Sequence, residues 1–205
     1  MLNSSEEQSY WYLRLNGFFL IDNFVIHKSK NIDFSADADL IGIRTPFVYE
    51  EIGGQSKDWD KTLFQNFDTK SLIGIICQVK GGAIGDKELF REPYLSYSLD
   101  RLGLTADNSA IAKELGEYPI VSFQNELGQN CQIAKLLITR DEPKNEINYL
   151  WLTLDSVYDF IRNRIKEYPK EKYADRNFFS SIGLQTIIEM NELDARKVKR
   201  YRMGK

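Results

Sequence analysis

Two cysteines and one histidine are all that this chain of 205 residues offers for soft-metal and imidazole chemistry. Cys77 and Cys131 make neither a disulfide scaffold nor a four-ligand zinc site. A single histidine, His27, excludes His₂ and His₃ zinc sites and leaves a Ser-His-Asp triad only through itself. No apolar run approaches the ~18 residues of a membrane span. The N-terminus MLNSSEEQSY is acidic where a secretory signal is basic and then apolar. These absences set the expectation of a soluble, cytoplasmic, reduced protein without a membrane. Neither G-x-x-x-x-G-K-[ST] nor G-x-G-x-x-G occurs, and Lys80-Gly81-Gly82 has the wrong order for a phosphate loop. There is no repeat, low-complexity tract or Gly/Ser/Pro linker. What remains is ordinary globular composition, 42% apolar and 28% charged. The length suits one domain.

The net charge of −3 is unevenly spread. The last twelve residues, DARKVKRYRMGK, hold Arg196, Lys197, Lys199, Arg200, Arg202 and Lys205 against Asp194, a net +5 that leaves −8 on residues 1–193. The expected organisation is one α/β domain over 1–193 and a basic C-terminal tail over 194–205. Such a tail can reach phosphates, and a solvated, frayed terminus would look the same.

Serines 4 and 5 followed by Glu6 and Glu7 read as a helix start, ended by Gly17. Phe18–His27 and Ala38–Arg44 read as strands, with a turn over Asp33–Asp37 between them. The polar stretch 45–70 reads as an insertion with a short helix around Trp59–Phe67. Ser71–Lys80 (SLIGIICQVK) is the clearest buried strand. Helices follow over 87–102 and 107–116, then strands over Tyr118–Phe123, Cys131–Thr139 and Ile147–Leu152. Asp155 is placed to cap a helix over Ser156–Tyr168, and a last helix covers 176–192. The fold class is therefore a mixed central sheet flanked by helices.

Two polar clusters sit at the ends of apolar strands. Asp37 and Asp39 share a face before Leu40-Ile41-Gly42-Ile43, and Gln78 and Lys80 share a face after Ile75-Ile76-Cys77. If the two strands pair, a carboxylate, an amide oxygen and an ammonium converge. Mg²⁺ or Mn²⁺ takes oxygen ligands of this kind, and Asp39, Gln78 and the Val79 main-chain carbonyl are the candidate ligands. Lys80 could orient water or neutralise charge developing on a phosphodiester. Asp also favours turns and strand starts, and Lys80 precedes a Gly-Gly turn, so each residue has a structural use as well. The amide of Gln78, however, needs a partner if buried.

These residues resemble the PD-(D/E)xK nuclease superfamily, which includes restriction endonucleases and Holliday-junction resolvases. The family pattern is an N-terminal helix often bearing a glutamate, a hairpin strand with an Asp, and a strand ending in (D/E)-x-K. Here the helix offers Glu6 and Glu7, the strand offers Asp39, and the third strand ends in Gln78-x-Lys80, similar to the Gln form of Mrr-type restriction endonucleases. The resemblance spans roughly residues 4–160. It implies a restriction-endonuclease-like fold and a divalent-metal-dependent endonuclease. Asp39, Gln78, Lys80 and Glu7 (or Glu6) would form its catalytic set, DNA would be the expected nucleic-acid partner, and a homodimer is admitted because two strands need two cuts. Ser35-Ala36 stands where the family has proline, the Asp39–Gln78 interval is long, and Gln78 is uncharged. The alternative is a catalytically inactive nuclease-like fold that binds nucleic acid or protein.

Other residues read as structural. Cys77 lies in a buried run, Cys131 has no basic activator, and Trp11, Tyr12, Phe18 and Phe19 read as core. Arg162, Arg164 and Lys166 read as a solvated helix face that could touch phosphates.

Overall fold

A computed structural model describes residues 3–26, 36–82, 89–92, 94–143, 147–171 and 181–203. The N-terminal helix α1 (Ser4–Leu15) starts at Asn3. The Asn3 side chain accepts the N–H groups of Ser5 and Glu6, and Glu6 accepts the Asn3 N–H in return, a reciprocal capping box. The expected serine start is thus shifted to an asparagine. Gly17, at φ +87°, supplies the left-handed turn that leads out of the helix.

The chain then makes an antiparallel meander of β1 (Phe19–Ile26), β2 (Ala36–Arg44) and β3 (Leu72–Lys80). After β3 come α3 (Tyr94–Leu102) and α4 (Asn108–Glu117), with a short α2 (Lys61–Phe64) between β2 and β3. Then follow β4 (Ile120–Gln124), β5 (Asn130–Thr139), β6 (Leu150–Thr153), α5 (Leu154–Glu167) and α6 (Ile182–Met203). The sheet order is β1-β2-β3-β5-β4, and β6 also pairs with β5. β3 and β5 run parallel along their whole length. Beyond β5 the edge is shared: its first half pairs antiparallel with β4 and its second half parallel with β6.

Helices cover both faces, which is why β3 and β5 read as continuous apolar runs. Ile73, Ile75, Cys77 and Val79 of β3 join Leu136 and Ile138 of β5 in a core closed by α1, α5 and α6. Ile76, Ile133 and Leu137 face the other way into a second core under α3 and α4. The architecture is a mixed six-stranded sheet between helical layers. Among the described residues no helix is long and apolar enough to cross a membrane.

Residues 45–70 are bound into this frame by two buried arginines. The Arg44 guanidinium lies 4.0 Å from the Trp59 ring centroid and 4.8 Å from that of Phe64, and its Nε donates to the Asn16 carbonyl at 3.0 Å. Burial pulls Arg44 down to about 10, still a cation at neutral pH. Arg164 of α5 donates to the carbonyls of Gly53, Asp58 and Leu15. Leu63 and Phe67 complete the first core. The expected insertion is therefore part of the core, and Arg164 is an internal anchor where a solvated face was expected. The reason is local: carbonyls in the turns of 53–58 have few main-chain partners, and a planar five-donor group can serve several at once.

Two further expectations shift. Thr153, not Asp155, caps α5: its hydroxyl accepts the Ser156 N–H at 3.0 Å, leaving Asp155 in the first turn. The last helix does not stop at 192 but runs as α6 through the basic segment to Met203. Residues 83–88 and 172–180, where the expected helices begin, and the turn over 33–35 lie outside the described residues.

Candidate functional site

The β2–β3 ladder runs from Arg44↔Ile73 to Leu40↔Cys77. Asp39 and Gln78 lie just beyond the last pair of that ladder. There a carboxylate replaces a main-chain acceptor: the Val79 N–H donates to Asp39 Oδ2 at 2.6 Å. The neighbouring ladder is disturbed at the same level. β1–β2 pairing passes from Asp22↔Leu40 to Phe24↔Ala38, and Asn23 between them holds φ +46°. Ala38 and Ile41 both pack into the α3/α4 core although three residues apart, so strict alternation is broken between them. The kink puts Asp39 where it can reach across to β3.

Lys80 closes the same group. Its Nζ lies 3.7 Å from Asp39 Oδ2, longer than the 2.7–2.9 Å of a tight charge-assisted hydrogen bond. The Lys80 side chain is 41% exposed and the Asp39 side chain only 9%, so the ammonium can move while the carboxylate stays fixed. Gln78 is 7% exposed, and its Oε1 is buried without a hydrogen-bond partner among the described residues. An orphaned amide oxygen costs about 1–3 kcal/mol, which calls for a use. Thus Asp39, the Val79 main chain and Lys80 come together at the end of the β2–β3 pair, with Gln78 next to Val79 in the chain. The Asp37 side chain and His27 lie outside the described residues.

The fit to a divalent cation rests on this orphaned oxygen, one residue from the Val79 N–H that holds the Asp39 carboxylate. Within a strand the N–H and C=O of one residue leave on the same edge, so the Val79 carbonyl also faces β2. One carboxylate and two neutral carbonyls are hard oxygen donors of the kind Mg²⁺ accepts while keeping several waters. Among the described residues no group of three or more His, Cys, Asp or Glu could hold a metal. The site therefore has low charge.

The first turn of α1 lies against the end of β3: a Cβ on Gly81 would stand 3.1 Å from Ser5 Oγ. Its two glutamates have local partners. Glu6 closes the capping box. Glu7 Oε1 accepts the Ser181 hydroxyl at 2.5 Å, and its carboxylate occupies the space a side chain on Gly183 would need. Glu7 thus joins α1 to the start of α6.

Cys77, behind the site, is fully buried, and burial followed by the field of Asp39 pushes its thiol well up, so it stays protonated. Burial also raises Cys131. Trp11, Tyr12 and Phe18 are core, whereas Phe19 is exposed on the edge strand β1. Sequence reading missed Lys135. It is 1% exposed in the middle of β5, opposite Ile76, with its Nζ 5.9 Å from the Phe90 ring centroid. Burial lowers its pKa to about 8. The available signal was one ammonium inside the apolar run CQIAKLLIT.

No family model, curated protein or solved structure matches this chain.

Proposed function

We propose that this chain is a divalent-metal-dependent nuclease of the PD-(D/E)xK type, hydrolysing phosphodiester bonds in nucleic acid, with DNA as the expected substrate. The observation that carries the reading is the fixed Asp39 carboxylate, which accepts the Val79 N–H and pairs with the Lys80 ammonium, together with the unpartnered oxygen of Gln78, the residue before Val79. The order helix, hairpin, strand, then helix and strand agrees with a restriction-endonuclease-like fold. Asp39 is held in place by the Val79 N–H. A bound Mg²⁺ or Mn²⁺ would supply Lewis acidity toward a phosphate oxygen and toward water. Lys80, exposed and loosely paired, would turn from Asp39 to the phosphate and offset charge developing there.

The test is conversion of supercoiled plasmid in Mg²⁺ or Mn²⁺ by the wild type, Asp39→Asn and Lys80→Met. Wild-type nicking should fall by ~100-fold or more in either variant, with circular dichroism unchanged. Absence of metal-dependent cleavage on duplex or single-stranded DNA and RNA rejects the enzyme reading.

One observation favours a second reading. The donor set holds a single carboxylate, already ion-paired, with a neutral amide in place of the second acid. A nuclease-like fold that binds nucleic acid or protein without cutting would carry such a site. Binding without cleavage in the same assays distinguishes it.

A further inference from the structure

The C-terminal half of α6 carries five cations over 196–203, and no acid follows Asp194. The helix is anchored by its first half: Leu184, Ile187 and Ile188 are buried in the core with α1 and α5, and Asn191 is buried beside them. Arg162 of α5 holds the junction, donating to Asn191 Oδ1 at 3.2 Å and lying 3.6 Å from Asp194. The same helix then continues without a break to Met203. The basic segment is a helical extension of a docked element.

The rest of the molecule makes this segment more exceptional than its sequence suggests. Of the body's cations, Arg44, Lys135 and Arg164 are buried, while Asp39 is the one buried acid among the described residues. The outside of an already acidic body is thereby more acidic still. Arg164, read from sequence as part of a solvated face that could touch phosphates, is committed to Gly53, Asp58 and Leu15.

The favourable interaction of cations with a helix C-terminus reaches only the last turn, so it does not account for Arg196, Lys197 and Lys199. Glu192 stands four residues before Arg196, the single acid–base pair at that spacing into the segment. An interfacial membrane helix needs a continuous apolar face, but the line from Met190 through Leu193 meets Lys197 and Arg200. Residues 194–203 span ~15 Å of helix, and duplex DNA presents ~9 phosphates over that length.

We infer that the basic half of α6 is the phosphate-binding element of this protein, gripping the backbone of nucleic acid independently of base sequence. The inference rests on the nucleic-acid reading above but not on cleavage. The experiment is fluorescence anisotropy with a 20-bp mixed-sequence DNA duplex in EDTA, titrated from 50 to 200 mM salt. The proteins are the wild type, a Lys199→Gln/Arg200→Gln/Arg202→Gln variant, and a Lys61→Gln/Lys70→Gln/Lys113→Gln control with the same change in net charge. Each backbone contact steepens log K against log salt by ~0.9, so the α6 variant should lose ~2.7 from the slope. Its affinity drop over that salt range should be about 40-fold smaller than that of the wild type, and the control should match the wild type. Equal slopes for wild type and α6 variant, or equal losses in variant and control, overturn the inference. So does wild-type binding to phosphatidylserine vesicles with none to the duplex. Absence of metal-dependent cleavage by the wild type, with the slope lost in the α6 variant, would sink the nuclease reading and leave this one standing.

Discussion

Replacing Lys135 by methionine should stabilise the protein, and the gain should depend on pH. The ammonium is 1% exposed, and among the described residues it makes no ion pair; its neighbour is the Phe90 ring. Burial takes the pKa from 10.5 to about 8. At ~1.4 kcal/mol per unit, that is a penalty of about 3 kcal/mol on the folded state wherever the lysine is charged in both states. Methionine keeps the unbranched stem and the volume, and loses a cation–π contact of about 1 kcal/mol, so the net gain at pH 7 is about 2 kcal/mol. The folded pKa is below the unfolded one, so between pH 8 and 10.5 the unfolded chain binds more protons and wild-type stability rises with pH. The advantage of the variant is therefore full below pH 8 and shrinks toward zero near pH 10.5. Urea unfolding of both proteins at pH 7, 8, 9 and 10 measures this directly. A difference that is flat with pH, or a variant less stable at pH 7, would refute a buried, uncompensated ammonium.

Gln78→Leu should raise stability by about 1 kcal/mol, because the orphaned Oε1 disappears, while abolishing any metal-dependent activity; an unchanged or lower midpoint in urea argues that the amide is satisfied. Gln78→Glu should tighten Mn²⁺ binding in calorimetry if Asp39 and residue 78 share a cation, and leave it unchanged if they do not. Arg164→Ala should cost about 3–5 kcal/mol and expose the Gly53–Asp58 segment to proteolysis, since three carbonyls lose their donor. Thr153→Ala should cost about 1 kcal/mol by thermal unfolding, whereas Asp155→Ala should cost about 0.5 kcal/mol or less, the reverse of what a cap at Asp155 would give.

Much of the frame was legible in the chain because it depends on local pattern. Ser71–Lys80 and Cys131–Thr139 are apolar runs too short for helices and too continuous for one-sided strands, so they mark the centre of a sheet covered on both faces. Alternation likewise placed Gln78 and Lys80 at the mouth of β3. Whether they would meet Asp39 was a matter of register between β2 and β3. Register is fixed by side-chain packing across strands that lie far apart in sequence. The kink at Asn23 and Asp39 could not be read either, because a left-handed asparagine in a strand is allowed by its short polar side chain but not required by it.

Charge shows the division most clearly. Composition alone set an acidic body against a basic end. Only the three-dimensional packing decided that Arg44, Lys135 and Arg164 go inside while α6 continues through the basic segment as an unbroken helix. An arginine on a helix reads the same in sequence whether it meets water or three turn carbonyls. The choice belongs to the segment that folds over it, here residues 53–58, more than a hundred positions away from Arg164.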